Sequence, residues 1–301
     1  PAANPEPAGS SLIDIGQPAF QFILGFVGYL AFMRRRVRNG ALWAWGYAAR
    51  RVLLLYSFGF FEEGVLERLA GGSPNWTSAF YEGTFAKLAI GSLAAYVTAS
   101  FVRGADRRAL LAVFIMALHS LLYVFPVFDR HTWFGDVMDM PYFPFGAVNL
   151  AVMAIAGTCF AQWFVMDPRE PLVGVRARIL PVTAALWVAY YSMEWLQPAE
   201  HHDVTTALGL LTLAVAGFML MAFFSMDRAG LRFPVLSALG RNLLLMFLLG
   251  WFVVNAYLAL LPKEFLMRSP ILAMLLGGLA PLVALSGLAA ILDRKNIIIR
   301  A

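Results

Sequence analysis

The residues that could do chemistry fall in a few short stretches. "QPAEHHDVTT" (197–206) sets His201, His202 and Asp203 in a row. Such a run offers a base that titrates near neutrality and an acid to orient it. Asp203 with Thr205 reads equally as the N-cap of a following helix. Two adjacent histidines lack the i, i+4 spacing of a helical metal site, so no metal is expected. His119 in "FIMALHSLLYVF" lies within an apolar run, as do Asn149 and Asn255. Each reads as helix-to-helix hydrogen bonding or as a site. Glu62 and Glu63 read as carboxylates facing a polar cavity or as the outer end of a short span. In "SALGRNLLLMF", Arg241 and Asn242 open an apolar helix behind Ser237 and Gly240. Free N–H groups, the helix dipole and a guanidinium there suit a phosphate, and a plain basic anchor is the other reading.

Composition says what must carry these groups. Of 301 residues, 60% are hydrophobic and 14% charged, where a soluble domain has about half and a quarter. The chain is therefore expected to be all-α, a polytopic membrane protein read as a single transmembrane domain over 1–301. Cys159 is the only cysteine and lies in an apolar run, which excludes a disulfide framework and a cysteine-based metal site. The first residues lack the basic n-region and short apolar stretch of a cleavable signal peptide.

A crossing needs about 20 apolar residues. Runs between charged breaks predict nine spans, near 17–33, 52–69, 83–102, 109–127, 145–166, 179–196, 205–226, 242–262 and 270–292. "ALWAWGYAARR" ahead of the second span reads as interfacial, with Trp43, Trp45 and Tyr47 at headgroup level. The segments after odd-numbered spans, with the C-terminal tail, hold 18 of the 23 Lys and Arg. The positive-inside rule then puts the C-terminus in the cytoplasm and the N-terminus outside. The net charge of +5 is thereby a topology signal, with no nucleic-acid partner implied. "RRRVRNG" after the first span could also attract anionic headgroups of the membrane lipids.

Several stretches, in order, resemble the membrane domain of the heparan-alpha-glucosaminide N-acetyltransferase family and its bacterial relatives. "DIGQPAFQFILGF", with Asp14 and Pro18, is similar to the family's Asp-x-x-x-Pro-x-Phe opening of a helix. "ARRVLLLYSFGFF" resembles its arginine-led second span, and "AVNLAVMAIAGTCFA" its helix carrying an asparagine, here Asn149. "TTALGLLTLAVAGFMLMAFFSMDRAGLRFPVLSALGRNLLLMF" resembles a Thr- or Ser-led helix, an Asp-x-x-Gly loop and a Gly-x-Asn helix start. The resemblance implies an acyl group taken from acetyl-CoA as co-substrate on the cytoplasmic side. It would be delivered to an amine or hydroxyl of a sugar, a glycan acceptor, on the other side, in a bacterial inner membrane. Arg241, Asn242 and Asn149 would serve the cofactor. The family also has an outer histidine about ten residues before the aspartate. Counting back from Asp14 reaches Asn4, so Asp14, His201 or His202 would have to supply the catalytic base. The family also has a helix before this outer loop; nine spans are expected here, or ten if that helix precedes Pro1.

Two other functions fit the same residues. A non-catalytic relative could serve as an accessory subunit of a larger membrane protein complex. A small-molecule transporter would use Glu62 and Glu63, although no internal repeat supports it.

Overall fold

Gly40 marks the first turn of the chain back across its bundle, with φ 89° and its N–H donated to the Arg36 carbonyl at 3.1 Å. Left-handed φ suits glycine, and it ends a helix that arginines alone do not stop. The computed structural model describes residues 15–66, 68, 83–124, 143–165, 171–199, 204–242, 245–246, 249–250, 279–295 and 297. All regular structure among them is helical. In chain order come α1 (Gly16–Asn39), α2 (Ala41–Phe60), α3 (Thr84–Phe101), α4 (Ala105–Val124) and α5 (Phe143–Phe164). Then follow α6 (Pro171–Gly174), α7 (Leu180–Glu194), α8 (Thr206–Arg228), α9 (Pro234–Arg241) and α10 (Ala280–Arg294). π-helical turns at Phe61–Leu66 and Val175–Ile179 extend α2 and join α6 to α7.

Among the described residues, five stretches are long and apolar enough to cross a membrane: Gly16–Asn39, Thr84–Phe101, Gly146–Phe164, Leu172–Glu194 and Thr206–Arg228. They carry the apolar surface expected of an integral membrane protein. Val188, Leu53 and Leu110 stay largely exposed, as side chains facing lipid would. The expected interfacial segment 41–51 differs: it is continuous with 52–60 in α2. Nothing in it breaks a helix, and Ala44, Ala48, Arg51 and Leu55 recur at helical spacing on one buried face. The expected span 242–262 lies mostly outside the described residues.

The chain forms two compact units, Pro1–Phe224 and Ser225–Ala301. In the first, α5 is the central helix, with Leu150, Val152, Met153, Ala154 and Ala161 fully buried. Its closest neighbour is α1. A Cβ built at Gly25 would fall on the Ala154 carbonyl oxygen, and one at Gly157 on the Phe22 carbonyl oxygen. The two backbones therefore touch, as small residues allow where lipid gives little hydrophobic drive. Phe22 meets Phe160 edge to face with centroids 5.2 Å apart, a favourable ring geometry.

Long-range contacts give the directions. Tyr29 reaches Gln162 and Ile15 packs with Leu150, so α1 and α5 run parallel. Arg108 reaches Gln162 while His119 meets Asn149, so α4 runs against α5. α7 follows α4, since Arg178 pairs with Asp106 and Tyr190 packs near Leu150. Arginines at 34–38, 103–108 and 176–178 consequently gather at one end of this unit, which we call the basic end. In the second unit, Ala238, Met246 and Ala289 form a small core between α9 and α10.

Replacing Gly157 by valine drives a branched side chain into backbone that has no rotamer to yield, at a cost of about 3 kcal/mol. Gly16→Ala, with nothing near its Cβ position, should stay within about 0.5 kcal/mol of wild type. Thermal unfolding of the two purified variants in detergent measures the difference.

Candidate functional site

Asp14, His201 and His202 lie outside the described residues. The positions that flank them do not: Ile15, Ala199 and Val204 pack in one cluster with Leu150, Tyr190 and Leu208. That cluster is at the end of the bundle away from the arginines.

A buried polar group stands beside it. Asn149 on α5 is fully buried, and His119 on α4 and Thr206 on α8 are nearly so. The Asn149 amide donates to the Val204 carbonyl at 2.6 Å and lies 3.2 Å from His119 Nδ1. His119 Nδ1 is also 3.2 Å from the Thr206 hydroxyl, which reaches the Met116 carbonyl at 3.4 Å. The short bond to Val204 fixes which way the amide points, so its second N–H faces His119. An N–H there needs an acceptor, and a ring nitrogen of His119 stands within reach. Hydrogen bonding across α4, α5 and α8 is what the geometry displays for the lone histidine.

Val204 has φ 46°, the one non-glycine residue among those described in left-handed backbone. A β-branched residue pays roughly 1–3 kcal/mol for such a conformation. Burial of its side chain and the bond from Asn149 hold it there. Just beyond, the Thr205 hydroxyl accepts from the Leu208 N–H at 3.4 Å and donates to the Pro198 carbonyl at 3.0 Å. Of the two residues read as a cap, Asp203 lies outside the described residues, and Thr205 caps α8 and ties its start to Pro198.

Glu62 and Glu63 occupy the π-helical turn after Phe60. That places them at the far end of α2 from Gly40, beyond its membrane-length helix and at the end away from the arginines.

The basic end has its own site. Arg103, Arg107 and Arg178 line a pocket of about 520 Å³ with Asp106, Gln162 and Trp163. Asp106 is the organiser: it accepts from Trp163 Nε1 at 2.9 Å and pairs with Arg178 at 3.1 Å. Three guanidiniums against one carboxylate leave the pocket net positive, and Arg–phosphate pairing is a strong recognition mode. Behind it, buried Arg108 donates to Gln162 at 2.6 Å and to the Thr158 carbonyl at 3.3 Å, over the ring of Tyr29. These arginines were legible as a topology signal, but their convergence depends on α4 running against α5. In the second unit, Arg241 pairs with Asp293 at 2.7 Å, and Asn242 donates to the Ile297 carbonyl at 3.2 Å. Asn149 belongs to the first unit and to its non-basic end. Among the described residues no three His, Cys, Asp or Glu side chains come together as a metal ion would require.

Asn149→Ala should lower stability by about 2 kcal/mol, because the buried Val204 carbonyl loses its donor while the strained loop remains. A double-mutant cycle with Thr206→Val should show coupling of at least about 0.5 kcal/mol, since both side chains meet His119. Thermal unfolding in detergent reads both.

No family model matches this chain, and no curated protein or solved structure matches it significantly.

Proposed function

We propose that this chain is a membrane-embedded acyltransferase that takes an acetyl group from acetyl-CoA at its basic end and passes it to a sugar hydroxyl or amine at the opposite end. The carrying observation is the chemical polarity of one bundle: an arginine pocket at one end and a buried His119–Asn149–Thr206 group at the other. A CoA thioester is a polyanion with a neutral acyl terminus. Its phosphates suit Arg103, Arg107 and Arg178, while its acyl end must travel toward the apolar interior. The resemblance itself assigns the donor's phosphates to Arg241 and Asn242 of the second unit. On the acceptor side, the base is drawn from Asp14, His201 and His202, whose chain neighbours Ile15, Ala199 and Val204 share one cluster. The basic side is read as cytoplasmic because positive charge is retained there, and the membrane as a bacterial inner membrane.

Acetyl-CoA titrated into the detergent-purified protein should raise its thermal stability, by about 2.7 kcal/mol at 100-fold excess over Kd. Arg103→Ala/Arg107→Ala should weaken that binding more than tenfold. Absence of any stabilisation, together with stoichiometric co-purification in a large membrane assembly, would reject the enzyme in favour of the accessory subunit.

A further inference from the structure

A groove of about 630 Å³ runs between α4, α7 and α8, within the size range of roughly 300–1,000 Å³ for ligand sites. Its walls are apolar along their length, from Val182 to Met193 on α7 and from Val113 to Leu121 on α4. From Val182 to Met193 the helix rises about 16 Å, close to the ~15 Å that one leaflet's chains occupy in a ~30 Å hydrocarbon core. Among the described lining residues, polar side chains come only from Ser120 and Thr206, both near the end away from the arginines. Thr206 is held by His119 and the Met116 carbonyl. Ser120 is more than nine-tenths buried, and its hydroxyl has no hydrogen-bond partner among the described residues. The carbonyl one turn back, which a helical serine often uses, is that of Met116, already approached by Thr206. A buried hydroxyl left without a partner is unfavourable, and a ligand oxygen placed there relieves it. Among the described residues that line the groove none is charged, so none of them compensates a phosphate, choline or carboxylate head.

We propose that the groove holds the alkyl chain of a neutral glycolipid, with the oxygen that joins chain to sugar accepting the Ser120 hydroxyl. The sugar then emerges beside His119 and Thr206, at the proposed acceptor end. This assignment rests on the acyltransferase reading for its purpose: it makes the acceptor lipid-linked rather than a free sugar. Binding itself needs no acyl donor.

The test uses a tetradecyl glucoside carrying a diazirine at mid-chain, photolysed with the full chain in vesicles without acetyl-CoA. Label should concentrate on peptides containing Val113–Leu121 and Val182–Met193, and should exceed that from tetradecylphosphocholine bearing the same diazirine. Ala189→Phe, which fills the groove, should abolish the excess. Val188→Phe, at a largely exposed neighbouring position, should leave it unchanged, with unfolding temperatures of both checked against wild type. Ser120→Ala should weaken labelling about fivefold, the size of one net hydrogen bond. Label spread evenly over all lipid-facing helices in every variant would overturn the site. Equal labelling by the phosphocholine probe would overturn the neutral head. If glucoside labelling holds but acetyl-CoA fails to bind, the groove stands and the enzymatic reading falls. The reverse result removes the groove alone.

Discussion

The contact between α1 and α5 at Gly25 and Gly157 is the constraint on which the first unit depends. With backbone against backbone, α5 has no room on that side for side chains, and its remaining surface is free to collect α3, α4 and α8. Ala99 and Ala161 meet around Tyr29, and Met116, Cys159 and Leu213 share the main core cluster. The parallel run of α1 and α5 also decides what each end contains. Ile15 and Leu150 come together at one end, and Tyr29 and Gln162 toward the other. A second tight approach repeats the device: a Cβ at Gly217 of α8 would strike the Thr183 hydroxyl of α7. That approach draws together two of the groove's three walls.

The two ends differ in how they handle polar groups. At the basic end, Asp106 collects Trp163 and Arg178, and Arg108 reaches Gln162, two backbone carbonyls and an aromatic face, its Nε without a partner among the described residues. The Arg178–Asp106 pair is about half exposed, which is the inexpensive way to keep such charges beside a membrane. At the other end Asn149, His119 and Thr206 are buried together, and the Asn149 amide holds the backbone at Val204. Strain kept in place by a buried amide is a feature found where a loop must be held in one shape for a purpose. On the proposed function, the arginine pocket would take the donor and the end at Asn149 the acceptor.

Much of this was legible in the sequence, and the reasons differ by element. The alternation of basic segments announced which helix ends would share a side, because charge avoids hydrocarbon. Thr205 was legible as a cap from its type and place. The sequence reads as an apolar span near 17–33 with the helix ending among the arginines, and α1 runs through them to Asn39, because arginine is a good helix former and Gly40 is the first breaker. The partners of His119 were not legible. A lone histidine announces a hydrogen bond, but Asn149 and Thr206 are 30 and 87 residues away along the chain. The Gly25 and Gly157 pairing was hidden for the same reason: a glycine in an apolar run gives no sign of which helix it admits. Ser120 carried no signal at all, since its importance comes from a neighbour taking the carbonyl it would otherwise use.

The central claim is that one bundle joins an acyl donor at its arginine end to an acceptor at the other. Sealed proteoliposomes of known orientation test it most directly, with radiolabelled acetyl-CoA confined to the arginine side and an alkyl glucoside on the other. The account predicts labelled, acetylated glucoside that accumulates with time only when the donor is on the arginine side. Folded, oriented protein that binds acetyl-CoA yet transfers no label from either side would contradict it.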